Sequence, residues 1–236
     1  ASSTGVGSRM ESREAQIAAI AALDEPTRRR LYDYVVRQPV PVSRDDAAAT
    51  LELPRTTVAF HLDRLVDEDL LDVIYERRTG RTGPGAGRPA KLYQRSQHHV
   101  AVSLPQRRYD LAGQLLSGAL EDAERSGSSP RAILDQRAYQ LGKELGETAR
   151  SPDADIDRNA ALRVLEAYGF EPRIEAGEIA LVNCPFHTLA QAYTGLVCGM
   201  NLRLLEGLLD GLGHTGLTAR LDPVPPHCCV RLAPAP

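Results

Sequence analysis

Cysteine placement is the first sign of chemistry in this chain of 236 residues. Residues 1–183 contain no cysteine, whereas Cys184, Cys198, Cys228 and Cys229 all fall in the last quarter. A protein core uses cysteine as a small hydrophobe in any region, so this clustering predicts a site lined by thiolates. We therefore expect a sensor domain at the C-terminal end.

The spacing of these thiols leaves the cofactor open between zinc and an iron–sulfur cluster. Three thiolates from separate elements can hold either one. The C-x13-C-x29-C spacing of Cys184, Cys198 and Cys228 is less typical of structural zinc than two close knuckles would be. These three residues are the predicted metal ligands. The alternative is that the cysteines serve only in packing.

A fourth metal ligand is expected among the neighbours of these three cysteines. Cys228 and Cys229 are predicted to begin the final strand, where successive side chains point to opposite faces. One of them is then a ligand and the other a packing residue, and we favour Cys228 as the ligand. His187, three residues after Cys184, and Cys229 remain the possible fourth ligands.

The elements that must position the thiols form a small α+β domain. Hydrophobic patterning predicts strands at 173–174 and 178–182, a helix over 189–209, and strands at 217–221 and 228–232. Three further helices precede this domain and are predicted at residues 106–125, 131–149 and 156–168. We interpret them as a connector or as the interface of a homodimer, since palindromic operators favour two-fold symmetric proteins.

The N-terminal third predicts several short helices. Residues 15–23 are amphipathic, with Ile17, Ile20 and Leu23 on one face. Pro26 is placed to begin a second helix that ends before Pro39.

Two more helices follow, joined by a tight turn. Ser43 is a predicted N-cap with acidic residues in the first turn behind it, and Pro54 is placed to begin the next helix. Two short helices joined in this way form a helix-turn-helix, whose second helix enters the major groove of DNA. The predicted DNA contacts of this motif are Ser43, Arg55, Thr56, Thr57, His61 and Arg64.

A basic β-hairpin is predicted directly after the motif. Residues 71–75 and 90–93 are rich in β-forming side chains, and the segment between them is rich in glycine. From residue 77 to residue 95 there are six cations and no acid. The combination predicts a winged helix, against the alternative of a small helical domain with a charged hairpin. The predicted DNA contacts of the wing are Arg77, Arg78, Arg81, Arg88 and Lys91.

The stretch from Val42 to Tyr93 resembles bacterial winged-helix regulators of the arsenic-repressor and DeoR-like groups. The resemblance is carried by the run LPRTTVAFHLDRL at 53–65 and by GRPAKLY at 87–93. It implies double-stranded DNA as the partner. Metal sensors of the arsenic-repressor type often carry thiol ligands on the DNA-binding helices, and this chain has none there.

The whole arrangement resembles the SufR-type iron–sulfur repressors that control cluster-assembly operons. The residues that carry this resemblance are the block Asn183–His187, Cys198 and the block His227–Val230. It implies that three C-terminal cysteines bind a cluster, expected to be 4Fe-4S, and that cluster occupancy sets the affinity for a palindromic operator. The expected function is therefore repression of cluster-assembly genes by a homodimer.

These inferences divide the chain into four parts: a flexible N-terminus at 1–12, a winged-helix domain at 13–96, a connector at 97–150 and a sensor domain at 151–236. Catalysis is not expected, because G-x-S-x-G, H-E-x-x-H, P-loop and C-x-x-C motifs are absent from the sequence. No apolar run reaches the length of a membrane helix, so a cytoplasmic protein is expected. The rival interpretation keeps DNA binding but gives the C-terminal domain a small-molecule pocket and a structural zinc.

Overall fold

The protein is described here from a computed structural model. The described residues are 13–76, 89–150, 158–213, 215–224 and 227–235. The chain divides into two compact units, residues 1–102 and residues 103–236. Each unit has its own hydrophobic core and combines helices with one antiparallel sheet. This mixture confirms the predicted α+β class.

The first unit contains four helices and a three-stranded sheet among its described residues. In chain order they are α1 (Arg13–Ala22), α2 (Pro26–Val36), β1 (Val42–Ser43), α3 (Arg44–Leu51), α4 (Arg55–Asp67), β2 (Leu71–Glu76) and β3 (Ala90–Arg95). The strand order is β1-β3-β2, and both pairings are antiparallel. The pairing of β2 with β3 confirms the predicted hairpin, whose tip at 77–88 lies outside the described residues. The short strand β1 was not predicted.

Local capping explains where the helices of this unit begin. The Glu25 carboxylate accepts hydrogen bonds from the backbone amides of Thr27 and Arg28, and Pro26 occupies the first turn of α2. Ser43 and Asp46 form a reciprocal capping box at the start of α3. Such side chains satisfy amides that have no partner within the helix. The predicted starts of both helices are therefore confirmed.

The core of the first unit lies under α4. Val58, Leu62 and Leu65 of α4 are buried, as their helical spacing predicts. The predicted face of α1 is wrong, because Ile17 and Ile20 are 44% and 49% exposed while Ala19 and Ala22 are buried. The alanines give α1 a close fit against the core, and the larger isoleucines are left on the solvent side.

The second unit contains five helices and a four-stranded sheet among its described residues. They are α5 (Tyr109–Ser126), α6 (Pro130–Ala149), α7 (Arg158–Ala167), β4 (Pro172–Glu175), β5 (Glu178–Leu181), α8 (His187–Ala192), α9 (Thr194–Leu212), β6 (Leu217–Leu221) and β7 (Val230–Pro234). The strand order is β4-β5-β7-β6, antiparallel throughout. Within the described parts of the chain, no helix is long and apolar enough to cross a membrane.

Helices α6 and α9 cross at very short distance. Gly142 and Gly146 of α6 face α9, and Gly207 and Gly211 of α9 face α6. A Cβ atom built on Gly142 would lie 1.9 Å from the carbonyl oxygen of Leu204, so only glycine fits there. Helices α5 and α6 also share one hydrophobic core with the C-terminal strands. Their predicted role in dimerisation stays a prediction.

Two boundaries in the second unit differ from the predicted ones. The single helix predicted over 189–209 is two helices, α8 and α9, which meet at Tyr193 with non-helical dihedral angles. The last strand begins at Val230, so Cys228 and Cys229 precede it instead of beginning it. Both differences change how the cysteines are positioned.

Candidate thiol site and nucleic-acid interface

The four cysteines reach one region of the second unit from three segments. Cys184 lies in the loop after β5, Cys198 lies in the second turn of α9, and Cys228 and Cys229 lie in the bend before β7. All four are free thiols; three are buried and Cys229 is partly buried. The backbone amide of Cys228 donates to the carbonyl of Leu181, which ties that bend to the end of β5.

The thiols meet as two pairs. Cys228 lies close enough to Cys184 to shift the pKa of the Cys184 thiol, and Cys229 lies close enough to Cys198 to shift the pKa of the Cys198 thiol. The two pairs also influence each other electrostatically, since Cys184 acts on Cys198 and Cys229 acts on Cys228. Cys228 and Cys229 precede β7, so the strand alternation on which their opposite orientation was predicted does not apply to them, and that orientation stays a prediction.

The surroundings of the thiols give them different pKa values. The hydrogen bond from Cys228 lowers the pKa of Cys184 despite its burial, and the Phe186 amide and the Arg107 charge act in the same direction. Burial and the hydrogen bond to Cys229 raise the pKa of Cys198 to about 12. The hydrogen bond to Cys184, together with burial, raises the pKa of Cys228 well above its usual value. Cys184 is thus more readily deprotonated than Cys198 or Cys228, and thiolate is the form that binds metal.

The arrangement of the thiols differs from a site in which all ligands surround one metal ion. Among the described residues, no three His, Cys, Asp or Glu side chains form a group that could hold one metal ion. His187 is exposed at the start of α8. Cys229 lies near Cys198 and raises its pKa, so the structure brings Cys229 to the other thiols.

Asn201 borders the thiol site from the next turn of α9. Its side chain is 1% exposed, and its Nδ2 donates to the Cys228 sulfur at 3.3 Å. Its Oδ1 is buried and has no hydrogen-bond partner among the described residues. A buried polar atom left unpaired costs about 1–3 kcal/mol.

A polar network holds the loop that carries Cys184. Asn183 is buried, and its Nδ2 donates to the carbonyls of Gln106 at 3.0 Å and Gly169 at 2.6 Å. The Arg107 guanidinium donates to Asn183 Oδ1 and to the Cys184 carbonyl, the latter at 3.2 Å. The segment that enters the second unit is therefore bound directly to the cysteine loop. The sequence carried no signal for this contact beyond the Asn183–Cys184 dipeptide.

In the first unit, α4 presents an exposed face with most of its cations already paired. The Arg55 guanidinium makes an ion pair with Asp45, and Arg64 pairs with Glu68 at 2.5 Å. Thr56 is exposed and Thr57 is half-buried. Arg55, Thr56 and Thr57 occupy the first turn of the second helix of the motif, where base and phosphate contacts are expected, and Arg64 lies in its last turn.

Asp63 joins α4 to the wing strand β3. Lys91 donates to its carboxylate at 2.5 Å, and the buried Tyr93 donates its hydroxyl at 2.9 Å. Partial burial opposes ionisation of Asp63, but these hydrogen bonds outweigh it and lower its pKa. Lys91, a predicted DNA contact, is thus held against α4. Its positive charge is paired with the Asp63 carboxylate.

The remaining predicted DNA contacts fall into three places. The Ser43 hydroxyl is nearly buried and engaged in the capping box. The His61 side chain is 12% exposed and lies 3.6 Å from the Glu25 carboxylate. The wing residues Arg77, Arg78, Arg81 and Arg88 lie outside the described residues. DNA contact by all of these residues stays a prediction.

Residues 23–74 match the family model of a helix-turn-helix domain. The match runs from the end of α1 into β2 and includes α3, α4 and the turn between them. This part of the chain is a helix-turn-helix domain. Such domains bind DNA, which indicates a DNA-binding regulator. Comparison with characterised proteins and with solved structures gave no significant match.

Proposed function

We propose that this protein is a transcriptional repressor whose affinity for DNA is set by an iron–sulfur cluster in the second unit. The DNA-binding part of the proposal is supported by the helix-turn-helix match at 23–74. The sensing part rests on one observation, the convergence of four free cysteines from three segments of the chain. We further propose a homodimer on a palindromic operator and cluster-assembly genes as targets.

The donor set at the thiol site is the kind that holds an iron–sulfur cluster. Zinc requires its ligands around one centre, at about 2.3 Å for sulfur. The described residues contain no such group, and we propose that the two neighbouring thiol pairs would hold separate irons of one larger core. Iron–sulfur clusters are held by cysteine thiolates. Cys184, Cys198, Cys228 and Cys229 would be the ligands, and the cluster would supply a redox- and oxygen-sensitive group.

Asn201 fits the same assignment. Its amide already donates to the Cys228 sulfur, and hydrogen bonds to ligand sulfurs are a common way in which proteins tune cluster potentials.

The cysteine loop is also connected to the segment that follows the DNA-binding unit. Arg107 and Asn183 bond residues 106–107 to the Cys184 loop. Ordering or release of that loop would therefore change how the segment after residue 102 is held. We propose this contact as the route by which the thiol site influences the DNA-binding unit.

DNA binding with and without cluster tests the proposal. Operator duplexes would first be selected from a random-sequence library with anaerobically purified protein, and then titrated by fluorescence anisotropy. The account expects cluster-loaded protein to bind at least about tenfold more tightly than cluster-free protein, within the usual range of coupling between sites. Cys184→Ser should bind like cluster-free protein under both conditions.

Arg55→Ala is the matched control, since it alters α4 and leaves the thiol site intact. It should retain iron and sulfide at wild-type levels while losing operator affinity. Equal affinity of loaded and cluster-free wild type would contradict the sensing role. A library selection that enriches no sequence would contradict the regulator itself.

A further inference from the structure

Phe60 is an exposed aromatic residue on the second helix of the DNA-binding motif. It is the sixth residue of α4 and is 67% exposed, although phenylalanine is usually buried. Its ring makes an edge contact with His61 at a centroid distance of 5.2 Å. The core of the unit is formed by Val58, Leu62 and Leu65 on the other side of the helix. Phe60 is therefore not needed for the packing of α4.

The position of Phe60 lies in a row with two polar residues. Thr56, Phe60 and Arg64 are spaced four residues apart, so they lie on one exposed face of α4. Arg64 is paired with Glu68, and Arg55 is paired with Asp45. The row thus presents an apolar ring between the Thr56 side chain and the Arg64 guanidinium.

We propose that Phe60 is a specificity residue that reads thymine through its C5-methyl group in the major groove. The inference rests on the proposed DNA binding by α4. A phenyl ring makes no conventional hydrogen bonds, and the thymine methyl is the apolar group that base edges present in that groove. The Arg64 guanidinium, next in the row, suits a phosphate or a guanine edge beside such a position. Operators of this protein therefore contain a thymine opposite Phe60.

Removal of single methyl groups from the DNA tests this directly. Each thymine of a selected operator would be replaced in turn by deoxyuridine, which lacks only the methyl group. At one position per half-site, wild type should bind about fourfold more weakly to the deoxyuridine duplex, the effect of losing one buried methyl. Phe60→Ala should bind thymine and deoxyuridine duplexes equally at that position.

Two further variants separate this role from a general effect on folding. Phe60→Leu keeps an apolar side chain and should retain most of the discrimination. Val40→Ala removes an exposed apolar side chain of the same unit away from α4, and it should discriminate like wild type. Circular dichroism would verify that each variant is folded.

The inference is contradicted if Phe60→Ala discriminates thymine from deoxyuridine as well as wild type does. It is also contradicted if wild type is indifferent to deoxyuridine at every position of an operator it binds. Failure of wild type to select any operator is a different result, which contradicts the proposed function.

Discussion

The glycine contact between α6 and α9 gives the sharpest prediction about stability. A Cβ on Gly142 would lie 1.9 Å from the carbonyl oxygen of Leu204, whereas ordinary contacts begin at 3.4 Å. The helices would therefore have to separate by about 1.5 Å to accept alanine. The obstacle is backbone, which cannot rotate aside as a side chain can.

The expected cost of Gly142→Ala follows from this geometry. Overpacking a core costs about 1–3 kcal/mol, and a clash with backbone belongs at the upper end. The better helix propensity of alanine offsets about 1 kcal/mol at most. We expect a net loss of about 2 kcal/mol, which lowers the melting temperature of the second unit by roughly 4–10 °C.

Differential scanning calorimetry of the full chain measures this loss, and Gly113→Ala is the matched control. Gly113 lies within α5, and a Cβ there would have no described atom outside its own helix backbone and chain neighbours within 4 Å. Its replacement should be neutral or stabilising, by up to about 1 kcal/mol. If Gly142→Ala melts at or above the temperature of Gly113→Ala, the close crossing of α6 and α9 is refuted.

Two further predictions concern polar contacts. Asp63→Asn should destabilise the first unit by about 1 kcal/mol, because its pair with Lys91 is half-exposed. The folded-state pKa of Asp63 lies below its ordinary value of 3.8, so its stabilising contribution is complete well above that pH and is lost as the pH falls through the folded-state pKa. Urea titrations would measure the stabilities of wild type and variant at several pH values. Stabilities that diverge on acidification would contradict this prediction. Asn183→Ala should lower the free energy of unfolding by about 3 kcal/mol, measured by calorimetry, because it leaves buried hydrogen-bond partners unpaired. The control, Tyr109→Phe, removes an exposed hydrogen bond to Thr188 and should lower it by under about 1 kcal/mol. Equal losses in these two variants would contradict the role assigned to Asn183.

Local signals in the sequence predict most of the first unit. Pro26 and Ser43 mark helix starts because caps act within one turn of the chain. The helical spacing of Val58, Leu62 and Leu65 predicts the buried face of α4 because these residues share one side of a regular helix.

Features that depend on tertiary contacts could not be predicted in this way. The isoleucines of α1 are exposed because packing against the core selects its alanines, and periodicity does not reveal which of two apolar faces is chosen. The contact between Arg107 and Asn183 joins residues 76 positions apart.

At the thiol site, one feature could be predicted from the sequence and another could not. Clustering of the four cysteines in the sequence predicts that they act together, and the structure brings them into two neighbouring pairs. The partners could not be predicted, because the argument about Cys228 and Cys229 assumed a strand that begins two residues later. An error of two residues in a strand boundary was enough to exclude Cys229 from the preferred ligand set.

The most direct test of the central claim is an ultraviolet–visible spectrum with iron, sulfide and zinc analysis of protein purified without oxygen. The account predicts a brown protein with matching iron and sulfide, lost in Cys184→Ser and retained in Arg55→Ala. Stoichiometric zinc without sulfide would instead support a structural zinc. Zinc alone, or no metal in folded wild-type protein, would contradict the iron–sulfur repressor proposed here.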